Sequence, residues 1–264
     1  MKSFVWHRVW GVLLQEYYVT IHSLEILVDV FFFPILNIVL FGFISIYLSG
    51  SDPEAARNVL LGMVLWQIIW IIAYSVAVES LWNIWSKNLS NMFVAPLKLS
   101  EYVTAHFLSG SVKALILLVG AIIFCVFAFD FNVLDIGWPT LLLVFLLFAI
   151  FAFTVGLLVL GLIFCYGLRI QALSWSVIFI FQPLSAAFFP IAAMPQWLQM
   201  IAYALPPTYG FEAARHSLQG GTVQFEFFGI GFLLAFVYLV PAILIFQWLF
   251  NRSRNSGQFA RNES

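Results

Sequence analysis

The sequence predicts an all-α integral membrane protein with six crossings and both termini on the same side, and three observations carry that prediction. The 264 residues are 63% hydrophobic and 9% charged, whereas a soluble domain carries about 25% charged residues and cannot cover this much apolar surface. Six apolar runs are long enough to span. The basic residues between the runs are shared unequally between the two sides. A net charge of −1 gives no basic field for nucleic acid, so no nucleic-acid partner is expected.

Residues 1–22 read as a helix lying on the membrane. Lys2 and Arg8 suit a secretion signal, but Arg8, Gln15 and Glu16 interrupt the apolar run and no small-residue cleavage site follows, so the segment is read as mature protein. Ser3, His7, Gly11, Gln15 and His22 share one helical face and Val5, Val9, Leu13 and Tyr17 another, the pattern of a helix in the headgroup plane.

The spans follow: Glu25–Leu48, Val59–Val78, Val103–Phe129, Trp138–Tyr166, Ile170–Phe189 and Phe225–Phe250. Turn formers or charges separate them, namely Gly50-Ser51-Asp52-Pro53, Asp130 to Gly137, Gly167-Leu168-Arg169 and Gly220-Gly221. One domain, 1–264, thus holds an interfacial helix (1–22), five spans (25–189), an outer hairpin (190–219), a sixth span (225–250) and a tail (251–264).

Orientation follows from the positive-inside rule. With cytosolic termini, the inner segments hold Lys2, Arg8, Lys87, Lys98, Arg169, Arg252, Arg254 and Arg261, and the outer ones only Arg57 and Arg215. Lys113 lies within the third span.

Two further segments are amphipathic. Between spans two and three, Leu81 to Val94 reads as one helix, with Leu81, Trp85, Leu89, Met92 and Phe93 opposing Asn83, Lys87, Ser90 and Asn91, and Pro96 ends it. Such a helix either seats a soluble partner or anchors to lipid. After span five, Pro190, Pro195, Pro206 and Pro207 cut the apolar stretch from Phe189 to Arg215 into helices of about ten residues, too short to cross. They are expected to dip in and return, with Pro207 in the first turn of the second helix. Glu212 and Arg215, three apart, either pair with each other or serve a path.

Ionisable residues near hydrocarbon each need a reason. Glu25 and Asp29, four apart, face a vestibule or the headgroups. Glu79 either pairs with Lys113 across helices, or Lys113 extends to the interface. Asn37, Gln67, Gln171 and Gln182 either bond between helices or line a path. His7, His22, His106 and His216 form no metal-ligand spacing, so no metal is expected. Cys125 and Cys165 read as core residues at opposite faces. No nucleophile accompanies His216, so no enzyme is expected, and the absence of GxxxxGK[ST] excludes a P-loop. No repeat relates the two halves, which disfavours an ion-coupled carrier.

These elements, together with Phe189-Pro190, Met194-Pro195-x-Trp197-Leu198, Leu205-Pro206-x-Thr208-Tyr209-x-Phe211-Glu212-Ala213-x-Arg215 and the stretch Met92 to Glu101, resemble the membrane subunit of ABC-2-type exporters. The resemblance covers essentially the whole chain. It implies a bacterial inner-membrane permease that dimerises, homodimerically in the simplest case, above two copies of a separate ATPase that binds ATP and Mg. Leu81, Trp82, Trp85, Lys87, Leu89, Met92, Phe93 and Pro96 would couple to that ATPase. Lys87 to Asn91 depart from the family's more acidic segment, which points to a particular ATPase. Pro190, Pro195, Trp197, Pro206, Tyr209, Glu212 and Arg215 would cap the exit. The first and fifth spans of two protomers would enclose a path rich in the chain's 30 Phe, 10 Trp and 9 Tyr. The cargo expected is an amphiphile, a lipid-linked glycan or a lipid. The alternatives are a drug-efflux permease, a lipid-modifying enzyme built on Glu212, Arg215 and His216, or a non-transporting scaffold.

Overall fold

The computed structural model describes residues 4–256, apart from the side chains of Leu89, Ser90, Phe93 and Leu168. Lys2, Ser3, Arg261 and the end of the tail lie outside the described residues. Every regular element among those described is helical.

Helix α1 (Trp6–His22) ends at Ser23, whose hydroxyl accepts from the Ile26 N–H at 3.4 Å and opens the first span. That span, Leu24–Ser49, runs as α2 (Leu24–Leu27), a π turn (Val28–Phe32) and α3 (Phe33–Ser49). Pro34 explains the π turn. It has no N–H for the carbonyl four residues back and its ring crowds that carbonyl, so the turn widens and Phe33 N–H bonds to Val28 instead.

The Asp52 carboxylate accepts from Ala55 N–H at 2.9 Å and starts α4 (Pro53–Trp85). Here the structure corrects the sequence reading. Residues 81–85 continue α4, and the chain breaks at residues 86–88 with Lys87 at φ 54°, so only α5 (Leu89–Val94) is a separate helix. No Gly or Pro interrupts residues 79–85, and buried Leu81 and Ile84 extend the helix by joining the core. At 33 residues, α4 is about 50 Å long and outreaches a hydrocarbon core of about 30 Å.

Helices α6 (Leu99–Phe129) and α7 (Trp138–Tyr166) are spans three and four. Asp130 at φ 49° and Gly137 at φ 83° make the turn between them. The fifth span differs from expectation. Its helix, α8 (Gln171–Leu184), has 14 residues and so covers about 21 Å, less than a full crossing. It ends where Ala186 turns left-handed at φ 55°. Among the described residues five helices, not six, are therefore long and apolar enough to cross a membrane by themselves. The hairpin is as expected: a 3-10 turn (Ile191–Ala193), α9 (Gln196–Tyr203) and α10 (Pro206–Leu218), with Pro206 and Pro207 both in the first turn of α10. Helix α11 (Phe225–Asn255) closes the described chain.

Helix α4 is the axis of the bundle. Of its most apolar stretch 89% is buried, against 28% for the first span and 22% for α11, whose outer faces are left for lipid or another chain. Helix α8 runs antiparallel along α4. Trp175 packs on Tyr74 (5.5 Å between ring centroids), Phe179 on Trp70 (4.7 Å), and the Ala187 carbonyl seats on Gly62, where any Cβ would collide with it. One end of the bundle gathers the start of α4, the α6–α7 turn and the end of α10, tied by Arg57–Asp135 at 3.6 Å and Gln219–Glu54. The opposite end gathers α1, the start of α6 and the end of α11. There Glu101 accepts from Val5 N–H and Lys98 N–H, each at 2.9 Å, and Ser253 donates to the Phe164 carbonyl. The first and last described helices thus share one end.

Candidate functional site

Two polar features of the interior are built on α4. The first is a cleft of about 350 Å³ between the first span, α4 and α8. Trp66, Trp70, Trp175, Phe33, Phe41 and Phe179 give it aromatic walls, and Asp29, Asn37, Gln67 and Gln182 give it polar positions. The π turn carries Asp29, whose carboxylate accepts from the Tyr74 hydroxyl at 2.9 Å. Glu25, one turn earlier, is exposed and does not join it. The indole N–H of buried Trp66 has no partner. Asn37, Gln67 and Gln182 thus line a cleft, one of the alternatives left open above; Gln171 does not.

The second feature is a buried cluster nearer the end that holds α1. Lys113 of α6 donates to the Glu79 carboxylate of α4, so the interhelical pair forms, and Lys113 is only 6% exposed. The close approach that allows this is set by Gly110, where a Cβ would lie 2.7 Å from the Ser75 side chain. Two further residues were missed from sequence. Glu16 of α1 and His106 of α6 are both buried, and His106 Nδ1 lies 3.9 Å from Glu16 Oε1 and 3.9 Å from Glu79 Oε2. Burial pushes the Glu16 carboxyl well above the usual carboxylate range, and the charge of Glu79 adds to that. A surrounding network orders the helices. Ser75 donates to Glu79 (3.2 Å), Tyr102 to Ser80 (3.0 Å), Asn83 to Tyr102 (3.2 Å) and Gln15 to Asn83 (2.9 Å).

The sequence does hold a signal for this cluster. Ser75, Glu79 and Asn83 step by four along α4, Tyr102, His106 and Lys113 step by four and seven along α6, and Val9, Val12, Glu16 and Thr20 form the buried face of α1. On α1, Val9, Val12, Glu16 and Thr20 thus face the protein, while the apolar Trp6, Trp10, Leu14, Tyr17 and Ile21 are exposed. His106, which the sequence gives no metal-ligand spacing, meets two carboxylates from other helices. His216 keeps to its place, beside Gln224 at 3.1 Å.

At the hairpin, Glu212 and Arg215 pair at 2.6 Å and together hold the chain reversal. Arg215, 4% exposed, also donates to the Ala186 and Ala187 carbonyls, and Glu212 accepts from Ile191 N–H at 3.0 Å. Burial lowers the Arg215 guanidinium from its ordinary value while Glu212 acts against this. Tyr209 donates to the Tyr203 carbonyl at 2.9 Å, joining α10 to α9. Pro190, Pro195 and Trp197 are exposed and Pro206 is buried.

The residues expected to meet an ATPase are divided by the break in the chain. Leu81 is buried and Trp82 half-buried within α4, Trp85 is exposed at its last residue, and Lys87, Val94 and Pro96 are exposed beyond it. Met92 is half-buried and its Sδ receives the Gln15 side-chain amide at 3.9 Å, tying α5 to α1. The side chains of Leu89 and Phe93 lie outside those described. No curated protein matches the chain. The family model described as ABC-2 type transporter matches residues 9–218, which takes in the cleft, the cluster and the hairpin but not α11.

Proposed function

Because the chain belongs to the ABC-2 type transporter family, we propose that it is the permease subunit of an ATP-driven exporter that moves an amphiphile, a lipid-linked glycan or a lipid, outward along the cleft between the first span, α4 and α8. Family membership makes the chain a multi-pass transporter component that works with an ABC ATPase, and nothing supports the lipid-modifying enzyme. The cleft is the observation that carries the finer reading. Aromatic faces interleaved with carboxylate and amide groups suit a ligand with both polar and apolar parts. The largely unburied first span suits closure of the path by a second copy.

In this reading α8 and the turns around it complete a sixth passage, and the end that holds α1, Lys98, Arg252 and Arg254 faces the cytosol. Two ATPase subunits, with their ATP and Mg, dock below Trp85, Lys87 and α5 of each protomer in the bacterial inner membrane. Their closure drives the long lever of α4, which carries Tyr74 and Glu79 between the cytosolic end and the cleft. Shifting such a permease from 1:99 to 99:1 open takes about 5.5 kcal/mol of differential binding, within reach of ATP. The hairpin, held by Arg215, closes the far end.

Drug efflux is the second reading, and Asp29 is the observation that favours it. One carboxylate beside Trp70, Tyr74 and Trp175 with no basic residue on the cleft wall suits an organic cation. Purification with the ATPase and reconstitution into vesicles tests both. ATP-dependent transfer of a labelled glycolipid across the bilayer supports the first reading, and transfer of a lipophilic cation the second. Cargo movement by this chain without any ATPase sinks both.

A further inference from the structure

Glu16, Glu79 and His106 come from three different helices and meet in a space where no hydrogen bond joins the imidazole to either acid. The two separations of 3.9 Å exceed a hydrogen bond of about 2.7–3.2 Å. They lie a few tenths of an ångström above the spacing of about 3.3–3.6 Å that two donors take around a tetrahedral zinc with ligands at about 2.0–2.2 Å. We propose that these three side chains form a divalent transition-metal site that fastens the interfacial helix α1 to the spanning helices α4 and α6.

Three observations support an ion there. All three donor atoms lie within 4.8 Å of one another, so an inward shift of a few tenths of an ångström to about one ångström closes the set on one ion. His106 is 0% exposed, and both of its ring nitrogens and Glu79 Oε2 are unpartnered, an arrangement rarely left unfilled in a protein interior. Geometry points the same way. Lys113 bonds to Glu79 Oε1, which leaves Oε2 facing the gap and His106.

The donor set selects the metal. One imidazole and two carboxylates, without thiolate, suit Zn²⁺, Co²⁺ or Mn²⁺ over copper(I), and the imidazole disfavours Mg²⁺ and Ca²⁺. A cavity of about 460 Å³ borders Glu16 and Glu79, with Gln15, Asn83, Ser86 and Asn88 beside Val19, Ile26 and Trp82 on its walls, and leaves room for a water as fourth ligand. The site lies outside the cleft and reads out without transport, so it stands or falls apart from the proposed function.

The test uses the full chain purified in detergent, stripped with a chelator and exchanged into Zn²⁺ or Co²⁺. About one zinc per chain is expected by elemental analysis, with the visible absorption of tetrahedral or five-coordinate cobalt. His106→Gln and Glu16→Gln are expected to lose about tenfold or more in metal affinity. His106→Cys, which keeps a ligand at this place, should bind cobalt again with a new thiolate-to-metal charge-transfer band, and this separates loss of a ligand from loss of fold. Zinc should raise the melting temperature of the wild type and of His106→Cys only. Metal content that stays near zero in the wild type, or is equal in the wild type and His106→Gln, overturns the site and assigns the gap to a bound proton.

Discussion

Lys113 of α6 donates to the Glu79 carboxylate of α4 in the interior of the bundle, 34 residues apart in sequence and both nearly inaccessible. A buried pair is sensitive to losing one partner far more than to losing both. Lys113→Met is therefore expected to destabilise the protein by about 3–5 kcal/mol, while Lys113→Met with Glu79→Gln recovers at least half of that. Thermal unfolding in detergent measures it, and a single variant that melts with the wild type removes the pair from the account.

Gly62 is required by contact rather than by backbone angle. A methyl group there would overlap the Ala187 carbonyl, so Gly62→Ala is expected to cost about 1–3 kcal/mol and to push α8 away from α4. Gly120 on α6 is exposed and meets nothing within 4 Å. Its change to Ala should stabilise the helix by up to about 1 kcal/mol. Equal melting of the two variants would contradict the close approach.

Arg215 holds the hairpin through three acceptors on two separate segments. Arg215→Met strands Glu212 and the Ala186 and Ala187 carbonyls, and a loss of about 3–5 kcal/mol with faster proteolysis within residues 186–205 is expected. Arg215→Lys keeps the charge but not the fork, and should fall between Met and wild type. Protection of the hairpin in Arg215→Met would show that the pair is dispensable.

In the cleft, Trp175→Ala should raise the half-saturating cargo concentration about two- to tenfold, since one aromatic contact is worth about 0.5–1.5 kcal/mol. Binding of the ATPase should stay unchanged. Trp248 on α11, 57% exposed, beneath the Arg252 guanidinium and not on the cleft wall, is the control and should show no effect. Transport that responds to Trp248→Ala and not to Trp175→Ala moves the path elsewhere.

Val94, 87% exposed, ends α5, the short helix that follows the break at residues 86–88. Val94→Glu should dissociate the ATPase during purification with the melting temperature unchanged. Retention of the ATPase in both Val94→Glu and Trp85→Glu would place the docking surface outside this segment.

Much of the fold is legible in the linear pattern because strong punctuation marks it. Both ends of α7 are as expected, since Gly137 (φ 83°) and Gly167 (φ 65°) adopt angles that other residues resist. The hairpin is legible for the same reason, its prolines sitting at helix starts. Where punctuation is absent the reading slips. Residues 79–85 lack a breaker, so packing prolongs α4 into what reads as a separate amphipathic helix. Pro183 lies within α8 without ending it, and the reversal at Ala186 is held by Arg215, 29 residues away.

By itself the sequence determined the helical class, the family and the short proline-cut helices after α8, because each rests on local hydrophobicity, charge or proline. Only the tertiary structure decided that Glu16 and His106 join Glu79, and that Asp29 meets Tyr74. Periodicity tells which residues share a face of one helix. It does not tell which face turns toward which neighbour, and that rotation is fixed only when close contacts such as Gly110 on Ser75 and Gly62 on Ala187 lock the helices together.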